Sequence, residues 1–128
     1  MEKVTGIGGV FFRARDPNAL ARWYTATLGI DSYSEEQDRT WWQAEGPTVF
    51  APFAEDTDYF GRREQRAMLN FRVTDLDAML AHLRESGTPV DERVEELPGV
   101  GRFGWATDPE GNRFELWQPA PEASVRSN

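Results

Sequence analysis

The sequence predicts an α+β fold of two tandem βαβββ modules, and three observations carry that expectation. The segment VFFRARDPNALARWY beginning at Val10 is echoed by LNFRVTDLDAMLAHL beginning at Leu69. Phe12, Arg13, Asp16 and Leu20 stand over Phe71, Arg72, Asp75 and Met79 at a constant offset of 59 residues. Each copy sets an apolar, strand-like run before an acidic residue and a helical stripe, and each closes in further strand-like runs, PTVFAPF and NRFELWQP. A duplicated half-domain brings equivalent interior positions into one shared concavity, where a functional site is to be sought.

In the first module, residues 4–54, the run from Val4 to Ala14 reads as a strand. Asp16 then caps free N–H groups, and Pro17 brings a fixed φ suited to the first helical position. Leu20, Trp23, Tyr24 and Leu28 form one helical face, and Gly29 stops the helix. Short strands are expected near 32–34, 40–44 and 48–53. Residues 55–65, EDTDYFGRREQ, read as a linker, with folding of Tyr59 and Phe60 over a pocket as the alternative. The second module, residues 66–119, repeats the plan with a strand over 66–73 and a cap at Asp75. Leu76, Met79, Leu80 and Leu83 give the stripe and Gly87 the stop. Further strands fall near 91–94, 101–107 and 113–118, the last two joined by the turn DPEGN. The tail, 120–128, has too little apolar content to pack and is expected to fray.

Composition narrows the class. A chain of 128 residues suits one domain, here spanning 1–128, that buries roughly two-thirds of its unfolded surface. Without cysteine, disulfides and thiolate chemistry are excluded. A net charge of −8 argues against nucleic acid and anionic membrane as partners, because phosphate contact needs clustered Lys and Arg. No apolar run approaches the roughly 20 residues of a membrane span, and the first residues lack a signal core, so the expectation is a soluble, cytoplasmic protein.

The tandem modules, the helix opening at an acidic residue directly after the first strand, and the ending TDPEGNRFELWQP resemble the glyoxalase, bleomycin-resistance and extradiol-dioxygenase superfamily, the vicinal oxygen chelate proteins. The resemblance covers roughly residues 4–119. It implies that the modules curl edge to edge into a half-open cup, and that metal-binding members hold ligands, usually His, Glu or Gln, on the first and last strand of each module. Carried over, those positions are Gly9, Phe50, Met68 and Glu115, and the repeat agrees in placing Gly9 over Met68. Only Glu115 can donate to a divalent cation, so no metal and no other cofactor is expected.

Strand parity then fills the cup. With those four positions inward, Phe11, Asn70, Arg72, Arg113 and Trp117 face inward too, as do Ile7 and Arg13. Val10, Phe12, Leu69, Phe71, Val73, Phe114 and Leu116 form the core side. Glu115 is the candidate catalytic carboxylate, with a merely inherited, hydrogen-bonded group as the equal alternative. Phe11, Phe50, Met68, Asn70, Arg72, Arg113 and Trp117 are the candidate ligand-binding residues. An ion pair of Glu115 with Arg72 or Arg113 is expected, with a protonated carboxyl as the alternative. His82 falls on the flank of the second helix as a surface residue, and Glu95 and Glu96 are expected to be solvated. The leading expectation is a homodimer that binds a small organic molecule in an aromatic-lined cup. The alternatives are a metal-dependent lyase, isomerase or dioxygenase, and an interaction module with a filled cup.

Overall fold

The computed structural model describes residues 1–126. Helix α1, Pro17–Leu28, is capped as its sequence requires, with the Asp16 side chain accepting from the Ala19 N–H and Gly29 closing the C-terminus at φ 72°. Strand β1, Asn70–Arg72, leads into helix α2, Leu76–Glu85, where the Asp75 side chain accepts from the Ala78 N–H. Three strands follow: β2 at Glu95–Leu97, β3 at Gly101–Thr107 and β4 at Arg113–Pro119. They form one four-stranded sheet in the order β1-β4-β3-β2. β1 runs parallel to β4, with Asn70 opposite Glu115 and Arg72 opposite Trp117, and the other pairs are antiparallel. The α+β class is therefore as expected. Among the described residues no helix is long and apolar enough to cross a membrane.

The core lies between the helices and one face of this sheet. Leu76, Leu80 and Leu83 of α2 meet Ala106, Phe114 and Leu116. Burying each large side chain contributes about 1.5–3 kcal/mol. α1 covers the same face. Trp23 sits edge-on to Phe114 at 6.1 Å, and Tyr24 lies 6.2 Å from Phe71 and 6.2 Å from Phe12. The turn between β3 and β4 holds α1 there. Asp108 accepts from the N–H groups of Glu110 and Asn112, from the Asn112 amide and from the Tyr24 hydroxyl at 2.7 Å. Glu110 in turn accepts from the N–H groups of Arg15 and Asp16, just ahead of α1. Burial, and next the bond to Asp108, raise the Tyr24 phenol well above its ordinary value.

Four expectations change. Among the described residues no strand precedes Asn70, so the segments foreseen at 4–14, 32–34, 40–44 and 48–53 are not strands. Residues 4–14 and 40–53 instead leave large apolar side chains in solvent, Trp42 being 89% exposed. A strand needs a neighbour for its N–H and C=O groups, and these segments find none within the chain. β1 is shorter than the foreseen 66–73 because the Gln65 side chain takes over the pairing. Its amide accepts from the Arg113 N–H at 2.8 Å and donates to the Arg113 carbonyl at 2.7 Å. The strand foreseen at 91–94 is displaced to β2. Val90 bridges Ala106 and Glu95 pairs with Phe103, so Glu92, Arg93 and Val94 bulge out of the ladder. The tail forms a short 3-10 helix, Pro121–Ser124, rather than fraying throughout, and the end of the foreseen flexible segment 120–128 lies outside the described residues.

Candidate functional site

Side chains of β4 alternate across the sheet: Phe114 and Leu116 enter the core, while Arg113, Glu115 and Trp117 take the face away from the helices. The register sets Thr107, Trp105 and Phe103 of β3 opposite them, and β1 adds Asn70 and Arg72. At the centre lies Glu115, 8% exposed. A carboxyl buried among aromatic rings must be hydrogen-bonded. Three neutral groups donate to it. The Asn70 amide donates to Oε1 at 2.7 Å, and the Trp105 indole N–H to Oε2 at 3.0 Å. The Tyr59 hydroxyl also donates to Oε2.

Around this centre the face is aromatic. Trp105 is fully buried, with Tyr59 edge-on at 6.2 Å and the guanidinium groups of Arg93 and Arg113 at 4.8 and 5.6 Å from its ring. Phe103 and Trp117 stack with ring centres 6.0 Å apart. The Tyr59 ring stacks on Phe53 at 5.7 Å. Burial first, then the hydrogen bond and charge of Glu115, push the Tyr59 phenol up to about 12.

The candidate residues divide into two groups. Asn70, Glu115 and Trp117 come together on this face, with Met68 half-buried just ahead of β1. Phe11 and Phe50 do not join them, being 95% and 86% exposed on the extended N-terminal segments. The expected ion pair is absent. Arg113 pairs with Asp91 at 3.0 Å and donates to the Tyr59 carbonyl, while Arg72 donates to the carbonyls of Ala44 and Pro47. Neutral donors on neighbouring strands reach Glu115 directly, and each guanidinium finds its partners elsewhere. His82 is exposed on α2 and meets the Thr27 carbonyl at 2.9 Å, on the helix side of the sheet. Glu95 is half-buried in β2, 3.4 Å from Arg93, rather than fully solvated.

A divalent metal does not fit this donor set. Gly9, Phe50 and Met68 supply no oxygen or nitrogen side-chain donor, and Glu115 alone cannot satisfy four or more coordination positions. Among the described residues no three of His, Cys, Asp and Glu gather in one place.

Of the other two participants, Trp105 was missed from the sequence and Tyr59 was foreseen only in the alternative reading of 55–65. Trp105 was within reach, because a hairpin closed at Asp108–Asn112 pairs Thr107 with Arg113 and therefore Trp105 with Glu115. Tyr59 carries no periodic signal. It belongs to the segment 55–65, which brings Tyr59 onto the sheet face at Glu115 and Trp105, in keeping with the alternative reading of that segment.

Comparison with known proteins follows the same outline. A family model described as Glyoxalase-like domain matches residues 9–117. The chain is similar in structure to TnmS3, an antibiotic binding protein from Streptomyces sp. CB03234, at a TM-score of 0.60 and 26% identity over 94% of this chain and 100% of that one. A glyoxylase/bleomycin resistance protein/dioxygenase domain from Frankia sp. EAN1pec aligns at a TM-score of 0.60 and 19% identity, over 93% of this chain and 95% of that one. The Mycobacterium tuberculosis protein named "Putative glyoxylase CFP32" is 38% identical over 52 residues, 41% of this chain. That match spans about a fifth of the relative's length.

Proposed function

This chain belongs to the glyoxalase-like domain family, and from that premise we propose that it binds a small organic molecule on the face around Glu115, without a metal ion. The observation that carries the reading is the centre itself: a buried carboxyl served by neutral donors, floored by Trp105 and flanked by the Phe103–Trp117 stack. Convergent polar groups within an aromatic surface are what a small-molecule site requires. The likeness to an antibiotic binding protein supports the same class of activity, binding of a small organic molecule. An enzyme of the lyase or dioxygenase kind needs a Lewis acid or a paired base. Within one chain the positions that the family resemblance assigns to a metal offer Glu115 alone, and the groups on Glu115 are an amide, an indole and a phenol, which supports the binding reading.

The binding form is a homodimer in the cytoplasm, with each cup completed across two chains. Residues 4–14 and 40–53 are extended, apolar and without ladder partners, and a second copy supplies both the missing neighbours and the missing wall. Phe11 and Phe50, exposed in their own chain, are then free to line the partner's cup.

Native mass spectrometry and elemental analysis of protein purified without chelators test the reading. The expected result is an organic adduct with far less than one metal ion per chain. Stoichiometric zinc, nickel or manganese located beside Glu115 would overturn it.

A further inference from the structure

We propose that the ligand of this cup is a neutral hydroxyaromatic compound, whose O–H takes the place that the Tyr59 phenol holds on Glu115. The inference rests on the small-molecule reading above and names the class of molecule.

Of the three groups donating to Glu115, Asn70 and Trp105 stand on β1 and β3 and are fixed by the sheet. Tyr59 alone comes from a segment outside helix and strand. That segment is anchored at its far end, where the Gln65 amide makes two hydrogen bonds with the Arg113 backbone. Between Tyr59 and that anchor lies Gly61, at φ 89°, a left-handed conformation that suits glycine and marks where the chain can turn. Tyr59 is therefore the donor whose departure leaves the sheet intact, at the cost of the Arg113 bond to its carbonyl and of its stack on Phe53.

What it leaves behind defines its replacement. Without Tyr59, Glu115 Oε2 keeps only the Trp105 N–H, and the edge of the Trp105 ring and the face of Phe53 lose their cover. A buried oxygen stripped of a donor costs more than the exchange of one donor for another. A group that brings an O–H on an aromatic ring makes good both losses at once, as Tyr59 itself does. Charge narrows the choice. An anion is repelled by Glu115, whereas an ammonium is drawn to Glu115 but lies beside the guanidinium groups of Arg93 and Arg113 over Trp105, each already paired with a carboxylate. A neutral phenol meets neither obstacle.

Isothermal titration calorimetry of the full chain with 2-naphthol and 2-methoxynaphthalene tests the proposal, since the two differ in the O–H. Wild-type protein is expected to bind 2-naphthol at least tenfold more tightly. Tyr59→Phe, which removes the competing hydroxyl and keeps the ring, is expected to bind 2-naphthol about tenfold more tightly than wild type. Glu115→Gln is expected to lose the preference between the two compounds. Equal affinity of wild type for both compounds sinks the hydroxyl inference while leaving the small-molecule reading standing. Weaker binding of 2-naphthol by Tyr59→Phe also overturns it, as does absence of binding of either compound to wild type and variant. In that last case the adduct measurement above still decides separately whether the protein binds small molecules.

Discussion

Tyr59 shows how one residue reports its surroundings. Its phenol is held up at about 12, against an ordinary value of 10.0, by burial and by the acceptor Glu115. Because the folded value exceeds the unfolded one, the associated stability is fully present below about pH 10 and is lost as pH rises through about 12. Phenolate absorbance followed during alkaline titration should therefore show a step near pH 12 that disappears in Tyr59→Phe. Loss of a step near pH 10 instead would show that the phenol is not held in this way. Glu115 itself was legible, since a lone carboxylate breaking an apolar strand pattern marks a face that is not ordinary core. Its partners were not. The sequence places two arginines within reach by parity, but the direction in which a long guanidinium side chain leaves its strand depends on distant groups such as Asp91 and the carbonyls of Ala44 and Pro47.

Among the elements, the turn DPEGN does more than reverse the chain. Asp108, 3% exposed, accepts four hydrogen bonds and joins the hairpin to α1 through Tyr24. Asp108→Ala should destabilise the protein by about 2–4 kcal/mol, because it strands a buried hydroxyl and two backbone N–H groups at once. Tyr24→Phe should cost about 1 kcal/mol. Urea denaturation measures both, and equal losses would mean that the turn does not depend on the carboxyl. The neighbouring Glu110 is held below the ordinary carboxylate range, first by the Asp16 N–H and then by the Arg15 N–H. Its contribution is present above its unfolded value and fades as pH falls through the lower folded one. Both helices, with their caps, and the last two strands were legible because capping chemistry and side-chain periodicity are local. The bulge before β2 and the shortening of β1 were not, since each depends on which groups from elsewhere occupy the ladder.

For the whole molecule, the apolar alternation of residues 4–14 is a signal of burial that the single chain leaves unmet, and the proposed homodimer supplies the cover. The pattern says that the side chains are to be covered and cannot say by which chain. Light scattering at micromolar concentration should return twice the 14.6 kDa mass of the chain. Phe11→Glu, which sets a charge on the segment awaiting a partner, should shift the particle toward the single-chain mass without unfolding the sheet. A wild-type particle of single-chain mass would count against the dimer.

If the proposed homodimer covers them, the unpartnered N-terminal segments also make the end of folding a matter of encounter. The sheet around Glu115 and its two helices can form at a rate set by one chain alone. In that dimer, covering Phe11, Trp42 and Phe50 would wait on collision with a second chain, so the lifetime of the sticky intermediate would shorten as concentration rises. At low expression the chain lingers with strand-forming apolar stretches exposed, open to non-specific association. The tail of the reaction is therefore second order, and the yield of native protein is governed by a race between correct pairing and every other apolar surface in its surroundings.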